Sequence, residues 1–414
     1  MKPLSVMVIA GEPSGDQLAG ELVQELRSRL MERQSDPTPD GQPLHASLAP
    51  RFFGAGGRGL ERAGVEVLIN LSARSVIGPA DVARNYRFFS TAFWQLIQAA
   101  EERQPDLLIL VDYSHFNHRF AREIRRRVRR AAGPFRNWRP RIVKYVSPQV
   151  WASRPGRADS MPRDLDLLLC LFPFEREWYA RRVPRLRTAF VGHPIIDRYA
   201  GRGEPIPPSE SPPWVVLLPG SRRAELARHL PPVLEAAGLI AEAMPVRFRM
   251  VLPSEELAAQ VRSQAEVPPG VEIQVGNLPE ALEGATLAIA STGSVTLECA
   301  RFQVPTVALY KTSWLTYELG KRLIHVPYLA MPNLLAEEPL FPELIQHRAT
   351  GKGIAEESLQ LLRDPARRGE IRRKLGQVIA SLGGRGATRR AAEAIVALLD
   401  EKGAEACQEG LAGS

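Results

Sequence analysis

Short runs of valine, isoleucine and leucine alternate with amphipathic stretches along most of the chain. The apolar runs span four to six residues, the length of strands that are buried on both faces of a sheet. The stretches 16–33, 119–130, 225–243 and 296–302 instead place apolar residues at helical spacing. This alternation predicts an α/β fold in which parallel sheets carry helices on both faces. The predicted strands are 6–10, 107–112, 141–146, 167–172, 214–218, 248–252, 287–290 and 306–309.

A segment rich in proline, serine and glycine divides this pattern into two halves. Residues 201–213, GRGEPIPPSESPP, lack any apolar periodicity and predict a linker. We therefore expect two Rossmann-like domains, 1–200 and 214–358, whose parallel sheets face a central cleft. Helices over 359–402 and a disordered tail over 403–414 are expected to complete the chain.

The composition excludes several classes of protein. With 44% hydrophobic and 24% charged residues in 414, the chain is unlike collagen or a disordered protein. Cys170, Cys299 and Cys407 form no CxxC pair and have no histidines at ligand spacing. This spacing argues against a disulfide framework and a zinc site and favours a reducing cytosol. The sequence contains no apolar run of membrane-spanning length and no signal-peptide pattern near its start, so we expect a cytoplasmic protein.

The positive charge is concentrated in one segment. Lys+Arg exceed Asp+Glu by 54 − 46 = 8, yet residues 118–144 alone hold eleven basic residues against Glu123. Such a segment suits an anionic membrane surface or a nucleic acid, and it is also compatible with a solvated arginine-rich helix. Phe135 and Trp138 come just after the arginine-rich stretch 119–130, within this segment, and favour the lipid interpretation.

Two turns in the second half have the chemistry of an anion site. In LLPGSRR a strand ends at Pro219 and a helix begins near Arg223, so the amides of Gly220 and Ser221 are available to a phosphate. Arg222 adds a guanidinium that can grip a diphosphate in bidentate fashion. An ordinary strand-to-helix turn is the alternative interpretation.

The second turn repeats this design after the strand 287–290. Thr292, Gly293 and Ser294 precede a helix, and Glu298 lies about one turn into it, where it can accept hydrogen bonds from sugar hydroxyls. Two such turns and a carboxylate favour a sugar nucleotide. Neither turn is a G-x-G-x-x-G or a P-loop motif, so an NAD enzyme or a P-loop ATPase is poorly supported.

The first half offers a candidate general base. Asp112 ends the strand 107–112, and open α/β sheets bind ligands at the carboxyl ends of their strands, although a helix-capping role is equally compatible. Ser14 and Asp16 in AGEPSGD are capping or ligand candidates, and His193 in VGHP is a structural or a functional histidine. The acidic pair in 164–166 resembles a metal-binding D-x-D but precedes a strand, so we expect no metal site.

Taken together, these motifs resemble those of the bacterial lipid-A-disaccharide synthases, inverting glycosyltransferases of GT-B architecture. The matches keep their order over about residues 6–350. They are AGEPSGD (10–16), FFGAGGRGLERAG (52–64), SVIGPADV (75–82), VDYSHFN (111–117), YVSPQVWASRPGR (145–157), LFPFE (171–175), FVGHPIID (190–197), LLPGSRRAEL (217–226), STGSVTLE (291–298), LTYELGKRLIHVPYLAMPNLLA (315–336) and PELIQ (342–346).

The resemblance implies a reaction. In it, 2,3-diacylglucosamine passes from its UDP donor to the 6-hydroxyl of 2,3-diacylglucosamine 1-phosphate, giving a β-1,6-linked disaccharide 1-phosphate and UDP in lipopolysaccharide synthesis. It implies no cofactor and no metal. The implied roles are Asp112 as base; Gly220, Ser221, Arg222, Thr292, Gly293, Ser294 and Glu298 on the donor nucleotide and diphosphate; and Ser14, Asp16, Asn117, His193 and Asn333 at the sugar or acceptor.

The acyl chains need an apolar surface close to the membrane. The resemblance places it in 75–95, and the alternative is a buried amphipathic helix. We expect peripheral attachment to the inner face of the cytoplasmic membrane, no nucleic-acid partner, and a chain compatible with a homodimer. The candidate lipid-facing residues are Val76, Ile77, Phe88, Phe89, Phe93 and Trp94.

The chain departs from the family pattern at a few positions. His115 stands where the signature has a second aspartate, and Pro79, Asp81 and Ser153 also differ. These changes put the acceptor or the acyl-chain preference in question. A related GT-B enzyme with another UDP-sugar and lipid acceptor remains an alternative, as does a non-catalytic lipid- or nucleotide-binding paralogue. The combination of Asp112, Arg222 and Glu298 argues against the non-catalytic alternative.

Overall fold

Two parallel sheets, each wound with helices, organise the protein in this computed structural model. It describes residues 3–35, 49–72, 79–133, 137–202 and 212–412. The chain divides into a first unit, Met1–Asp197 with Gly383–Ser414, and a second unit, Arg198–Leu382. The division falls just before the predicted linker, most of which lies outside the described residues.

The first unit is built on a seven-stranded parallel sheet. Its strand order is β3-β2-β1-β4-β5-β6-β7, so the direction of winding reverses between β1 and β4. Every residue of the central strand β4 is buried, because helices cover both faces. The strands are β1 (Ser5–Ala10), β2 (Arg51–Gly56), β3 (Glu66–Asn70), β4 (Leu107–Val111), β5 (Arg141–Tyr145), β6 (Leu167–Cys170) and β7 (Thr188–Phe190). The helices are α1 (Pro13–Ser35), α2 (Arg58–Arg62), α3 (Pro79–Arg103), α4 (Ser114–Ala131), α5 (Met161–Asp164), α6 (Pro173–Arg182) and α7 (Ile195–Arg198), with a 3₁₀ helix at Pro155–Ser160.

The second unit repeats this plan with six strands. Its order is β10-β9-β8-β11-β12-β13, and the reversal lies between β8 and β11. The strands are β8 (Trp214–Leu218), β9 (Arg247–Leu252), β10 (Val271–Val275), β11 (Leu287–Ser291), β12 (Thr306–Tyr310) and β13 (Glu343–Ile345). The helices are α8 (Arg223–Ala243), α9 (Glu255–Gln264), α10 (Leu278–Leu282), α11 (Ser294–Arg301), α12 (Trp314–Leu323), α13 (Met331–Ala336), α14 (Gly351–Arg363) and α15 (Pro365–Ser381), with a 3₁₀ helix at Gln346–Arg348.

The last helix, α16 (Ala387–Ala412), returns to the first unit. It packs against α1, and Arg390 Nε donates to the Val191 carbonyl at 2.8 Å. The predicted group of C-terminal helices is therefore shared between the units, since α14 and α15 belong to the second. The helix also continues through most of 403–414, which we expected to be a disordered tail.

All eight predicted strands are present, and β2, β3, β7, β10 and β13 were missed. Strand β2 carries Gly54 at φ +152°, where an added Cβ would lie 1.9 Å from the Val8 carbonyl oxygen. Only glycine fits this close approach to β1, and its presence interrupts the apolar run that signals a strand. Among the described helices, none is long and apolar enough to cross a membrane.

Candidate active site

The winding reversal of the first sheet brings two predicted turns together. Strands β1 and β4 pair directly, with Ala10 opposite Val111, so the turns that follow them start side by side. An added Cβ on Gly11 would lie 2.2 Å from the Tyr113 ring, and one on Gly15 would lie 3.3 Å from Asp112 Cβ. The AGEPSGD turn therefore packs against the turn that holds Asp112, at the edge where such sheets bind ligands.

The Asp112 turn has an unusual backbone. Asp112 and Tyr113 have φ angles of +43° and +44°, and each such non-glycine residue costs about 1–3 kcal/mol. Asn117 Nδ2 offsets this cost by donating to the carbonyls of Val111 at 3.0 Å and Asp112 at 2.8 Å. The Lys144 ammonium also donates to the Asp112 carbonyl, and Asp112 N donates to the Tyr145 carbonyl at 2.9 Å. The turn is thus held from helix α4 and from the neighbouring strand β5.

Asp112 lines a cavity of about 310 Å³, which we call the Asp112 cavity. Ser114, Ser147 and Gln149 add polar groups to its wall, and a second carboxyl, Glu175, lies there too. Glu175 is 1% exposed, accepts hydrogen bonds from Trp151 Nε1 and Phe172 N at 3.1 Å each, and has a pKa raised by burial to about 7. The sequence reasoning gave it no role, although it ends the LFPFE motif.

The other residues of the first unit that the sequence placed at the sugar or acceptor form mostly hydrogen bonds to main-chain groups. Asp16 is buried and accepts from the amides of Gly57 at 2.6 Å and Gly59 at 2.7 Å, so it caps α2. Asn117 is also buried and is occupied by the Asp112 turn. His193 Nδ1 accepts from Ile195 N at 3.1 Å at the start of α7. Ser14 is exposed near the start of α1. The structure thus gives three of these four residues a positioning role.

The second unit places its two glycine turns at the corresponding edge. Strands β8 and β11 pair with Leu218 opposite Ala290, so the turns that follow them start side by side. Gly220 and Gly293 have φ angles of +136° and +150°, and α8 and α11 begin directly after these turns. Ser221 and Ser294 are exposed there. Two helix N-termini at one sheet edge form the arrangement that binds a diphosphate.

A buried histidine links this edge to the next strand. His229 is fully buried, and its Nε2 accepts from Lys311 N at 2.9 Å. Its Nδ1 therefore carries the proton and donates to the Pro219 carbonyl at 2.8 Å. Burial lowers the pKa of His229, which favours the neutral ring that this pair of hydrogen bonds requires. It fixes the turn before Gly220, a role that the sequence reasoning missed.

Glu298 lies in a largely buried position on α11. Its Oε1 is 3.8 Å from Arg198 Nη1, and burial raises its pKa although Arg198 and Tyr199 act in the opposite direction. Arg222 Nη1 lies 3.5 Å from Glu225 Oε1, at the start of α8. Asn333 is fully buried, and its side chain binds both main-chain groups of Phe341, so the structure shows it as a link within the unit.

The acidic pair of the D-x-D stretch binds arginines. Arg122 Nε lies 3.4 Å from Asp164 Oδ2, and Arg125 Nη2 lies 2.5 Å from Asp166 Oδ2. Across the described part of the chain, no group of three histidine, cysteine, aspartate or glutamate residues is arranged to hold a metal ion.

The basic segment 118–144 is partly neutralised by acids from other elements. Besides Asp164 and Asp166, Glu101 of α3 pairs with Arg127. Arg129 and Arg130 remain exposed at the end of α4. Trp138 packs against the core and donates to the Pro105 carbonyl at 2.9 Å.

The predicted lipid-facing residues have different environments. Phe93 is a core residue packed against Phe116 and Phe120, as the buried-helix alternative expected. Trp94 is 43% exposed, and Phe88 and Phe89 are half-buried against the core. Val76, Ile77 and Phe135 lie outside the described residues.

A second apolar surface lies on α12, and the sequence reasoning did not find it. Trp314 and Leu315 are 72% and 62% exposed, and Leu319 and Ile324 continue the surface. No residue of α12 is buried, so this helix presents its apolar side chains outward.

Comparisons with known proteins agree with this geometry. The family model described as lipid-A-disaccharide synthetase matches residues 6–397. The lipid-A-disaccharide synthase of Geobacter sulfurreducens is 36% identical over 96% of this chain and 98% of its own length. That of Solibacter usitatus is 35% identical over 95% of this chain and 97% of its own.

A solved structure supports the fold. The calicheamicin glycosyltransferase CalG4 superposes with a TM-score of 0.58 at 17% identity, covering 97% of this chain and 99% of its own. The expected GT-B fold class is confirmed, as are the family resemblance and the expected class of enzyme. Membership implies a UDP-sugar donor and a lipid acceptor. The chain belongs to the lipid-A-disaccharide synthase family, a family of GT-B glycosyltransferases.

Proposed function

We propose that this chain transfers 2,3-diacylglucosamine from UDP-2,3-diacylglucosamine to the 6-hydroxyl of 2,3-diacylglucosamine 1-phosphate. The products are a β-1,6-linked disaccharide 1-phosphate and UDP. The observation that carries the proposal is Asp112, which lines a polar cavity at the winding reversal of the first sheet on a turn fixed by Asn117 and Lys144. Family membership supports a UDP-sugar donor and a lipid acceptor, and the two diacylated substrates are those that the family resemblance implies.

The second unit binds the donor in this proposal. The diphosphate accepts hydrogen bonds from amides at the start of α8 and α11, where the helix dipoles also favour negative charge. Arg222 adds a guanidinium at the first of these turns, and Glu298 accepts hydrogen bonds from the ribose hydroxyls. The glycine turns let the backbone approach the phosphates closely.

Asp112 acts as the general base. Its carboxylate accepts the proton of the acceptor 6-hydroxyl while that oxygen attacks C1 of the donor sugar on the face opposite the diphosphate. The bond from C1 to the diphosphate oxygen breaks, and UDP leaves with the electron pair, so the configuration at C1 inverts. Positively polarised amides and Arg222 balance the charge that develops on UDP. A positioned base of this kind contributes about 10²–10⁴-fold to the rate.

Peripheral attachment to the inner face of the cytoplasmic membrane is part of the same proposal. The acyl chains of both substrates reside in a bilayer, and α12 exposes Trp314, Leu315 and Leu319 on one helix. Lys321 and Arg322 follow in its last turn and suit an anionic lipid surface. Tryptophan favours the boundary between lipid and water.

A turnover assay tests the reaction. Purified protein is incubated with both substrates and EDTA, and the products are identified by mass spectrometry. We expect a tetra-acylated disaccharide 1-phosphate, and about 10²–10⁴-fold lower kcat in Asp112→Asn with unchanged UDP affinity. Asp159→Asn is the matched control, because Asp159 forms an exposed ion pair with Arg182. Full activity of Asp112→Asn would rule out this base, and no product from the unaltered protein would rule out the reaction.

A further inference from the structure

A second cavity adjoins the Asp112 cavity in the first unit. It measures about 640 Å³, and the two cavities share Ser114 and Pro148. Its walls come from α4 on one side and from the 3₁₀ helix Pro155–Ser160 on the other. The start of α4, whose amides favour an anion, lies where the two cavities meet.

The polar wall of this cavity is cationic, and we call it the basic cavity. It is lined by Arg119, Arg122 and Arg157 together with His115 and His118, and no carboxylate is among its described lining residues. Asp164, which is buried nearby, lies 3.4 Å from Arg122 Nε and offsets part of that charge. The remaining guanidinium groups give the cavity an excess of positive charge.

Arg119 and Arg157 have no acid partner among the described residues, and since Arg119 lies over the Phe93 ring, Arg157 is the less compensated of the two. Its side chain makes no ion pair or hydrogen bond to another residue in the described part of the chain, whereas Arg122 binds Ser160 Oγ at 2.9 Å. Burial lowers the pKa of His115, and the charges of Arg157, Arg119 and Arg154 lower it further. All three guanidinium groups therefore lie close enough to His115 to repel its protonated form. Because Asp164 neutralises at most part of the charge of these converging cations, the positive excess indicates an anionic ligand.

The rest of the wall is apolar. Val150 and Met161 are buried side chains that line the cavity beside Pro148. A ligand that fits this site carries a compact anionic group and a less polar body. A phosphate monoester on a sugar has this chemistry, and guanidinium groups bind its oxygens in pairs.

We propose that the basic cavity binds the 1-phosphate of the acceptor, while the 6-hydroxyl of the same sugar reaches Asp112 in the adjoining cavity. This inference rests on the proposed function and assigns its acceptor subsite. It makes the phosphate a determinant of which diacylated sugar is accepted, because Arg157 has no acid partner among the described residues and is available to the phosphate oxygens.

The test compares two acceptors at saturating donor, 2,3-diacylglucosamine 1-phosphate and the same lipid without its phosphate. In Arg157→Met we expect about 10- to 100-fold lower kcat/KM for the phosphorylated acceptor, mostly through KM, and no change for the other. Arg157→Lys should recover part of the loss. Arg181→Met, which removes another exposed arginine of the first unit, is the matched control. An equal loss with both acceptors, or no loss with either, would overturn the assignment.

Two further results show whether the ligand, the subsite or the reaction itself has been assigned wrongly. An anionic membrane lipid offers the same headgroup chemistry, so binding to phosphatidylglycerol vesicles is measured for each variant. If Arg157→Met weakens vesicle binding but leaves the acceptor KM unchanged, the cavity binds a membrane headgroup and our assignment is wrong. If the unaltered protein forms no product, the proposed reaction is wrong. Equilibrium binding of the phosphorylated acceptor to the unaltered protein and to Arg157→Met then tests the subsite by itself: weaker binding by Arg157→Met supports the assignment, and equal binding overturns it.

Discussion

Asn117 offers the sharpest test of how the fold prepares the Asp112 carboxylate. Its side chain is fully buried, and Nδ2 donates to two successive carbonyls, those of Val111 and Asp112. Asn117→Ala removes both side-chain hydrogen bonds to the strained backbone of Asp112 and Tyr113, while the main-chain amide of residue 117 still donates to the Tyr113 carbonyl.

The structure sets the size of the effect. Two hydrogen bonds at about 1 kcal/mol each give a loss of about 2 kcal/mol in the free energy of unfolding. Without these bonds, the left-handed backbone of Asp112 and Tyr113 relaxes and displaces the Asp112 carboxylate. A displacement of about 1 Å is enough to lower kcat about 100-fold. A protein that loses about 2 kcal/mol of stability stays mostly folded, so the loss of activity exceeds what unfolding explains.

The assay pairs urea unfolding with kcat and UDP affinity. Thr350→Ala is the control for destabilisation, because it removes the N-cap of α14 in the second unit and costs about 1 kcal/mol. The double variant Asn117→Ala with Asp112→Asn should be no slower than Asp112→Asn alone, since both changes act on one group. A variant that is destabilised as expected but keeps its kcat would refute the idea that Asn117 positions a catalytic carboxylate.

Two further predictions concern Glu175 and α12. Burial raises the pKa of Glu175 from 4.5 to about 7, so between these values the folded state keeps a proton that the unfolded state has released, and stability falls as pH rises. Glu175→Gln should remove this decline, which amounts to roughly 3 kcal/mol in the free energy of unfolding between pH 4.5 and about 7, when urea unfolding is measured at several pH values in this range. A variant whose free energy of unfolding still falls with pH as in the unaltered protein would contradict the role given to Glu175. For α12, replacing Trp314 and Leu315 with serine should weaken binding to anionic vesicles about tenfold while leaving UDP affinity intact, and vesicle binding equal to that of the unaltered protein would exclude this surface.

The basic segment shows why a charge count along the chain misleads. Residues 118–144 have one acid within the segment, yet the fold brings Glu101, Asp164 and Asp166 against its arginines. These partners are distant in sequence, and only the packing of α3 and α5 against α4 places them. The same packing gathers Arg157 with Arg119 and Arg122 around a cavity that no sequence pattern indicated.

Local sequence patterns were enough to predict the α/β fold, the two glycine turns of the second unit and the place of Asp112 at the end of a strand. These features are local, because buried strands require apolar runs and anion-binding helix starts require glycine at fixed places. The neighbours of each residue follow from the packing of the whole chain. This packing has four consequences at the candidate site and around it. It buried Phe93, gave Asn117 a positioning role, raised the pKa of Glu175 and returned α16 to the first unit. Burial and pairing arise between segments distant in sequence, so they follow from packing and not from any local pattern.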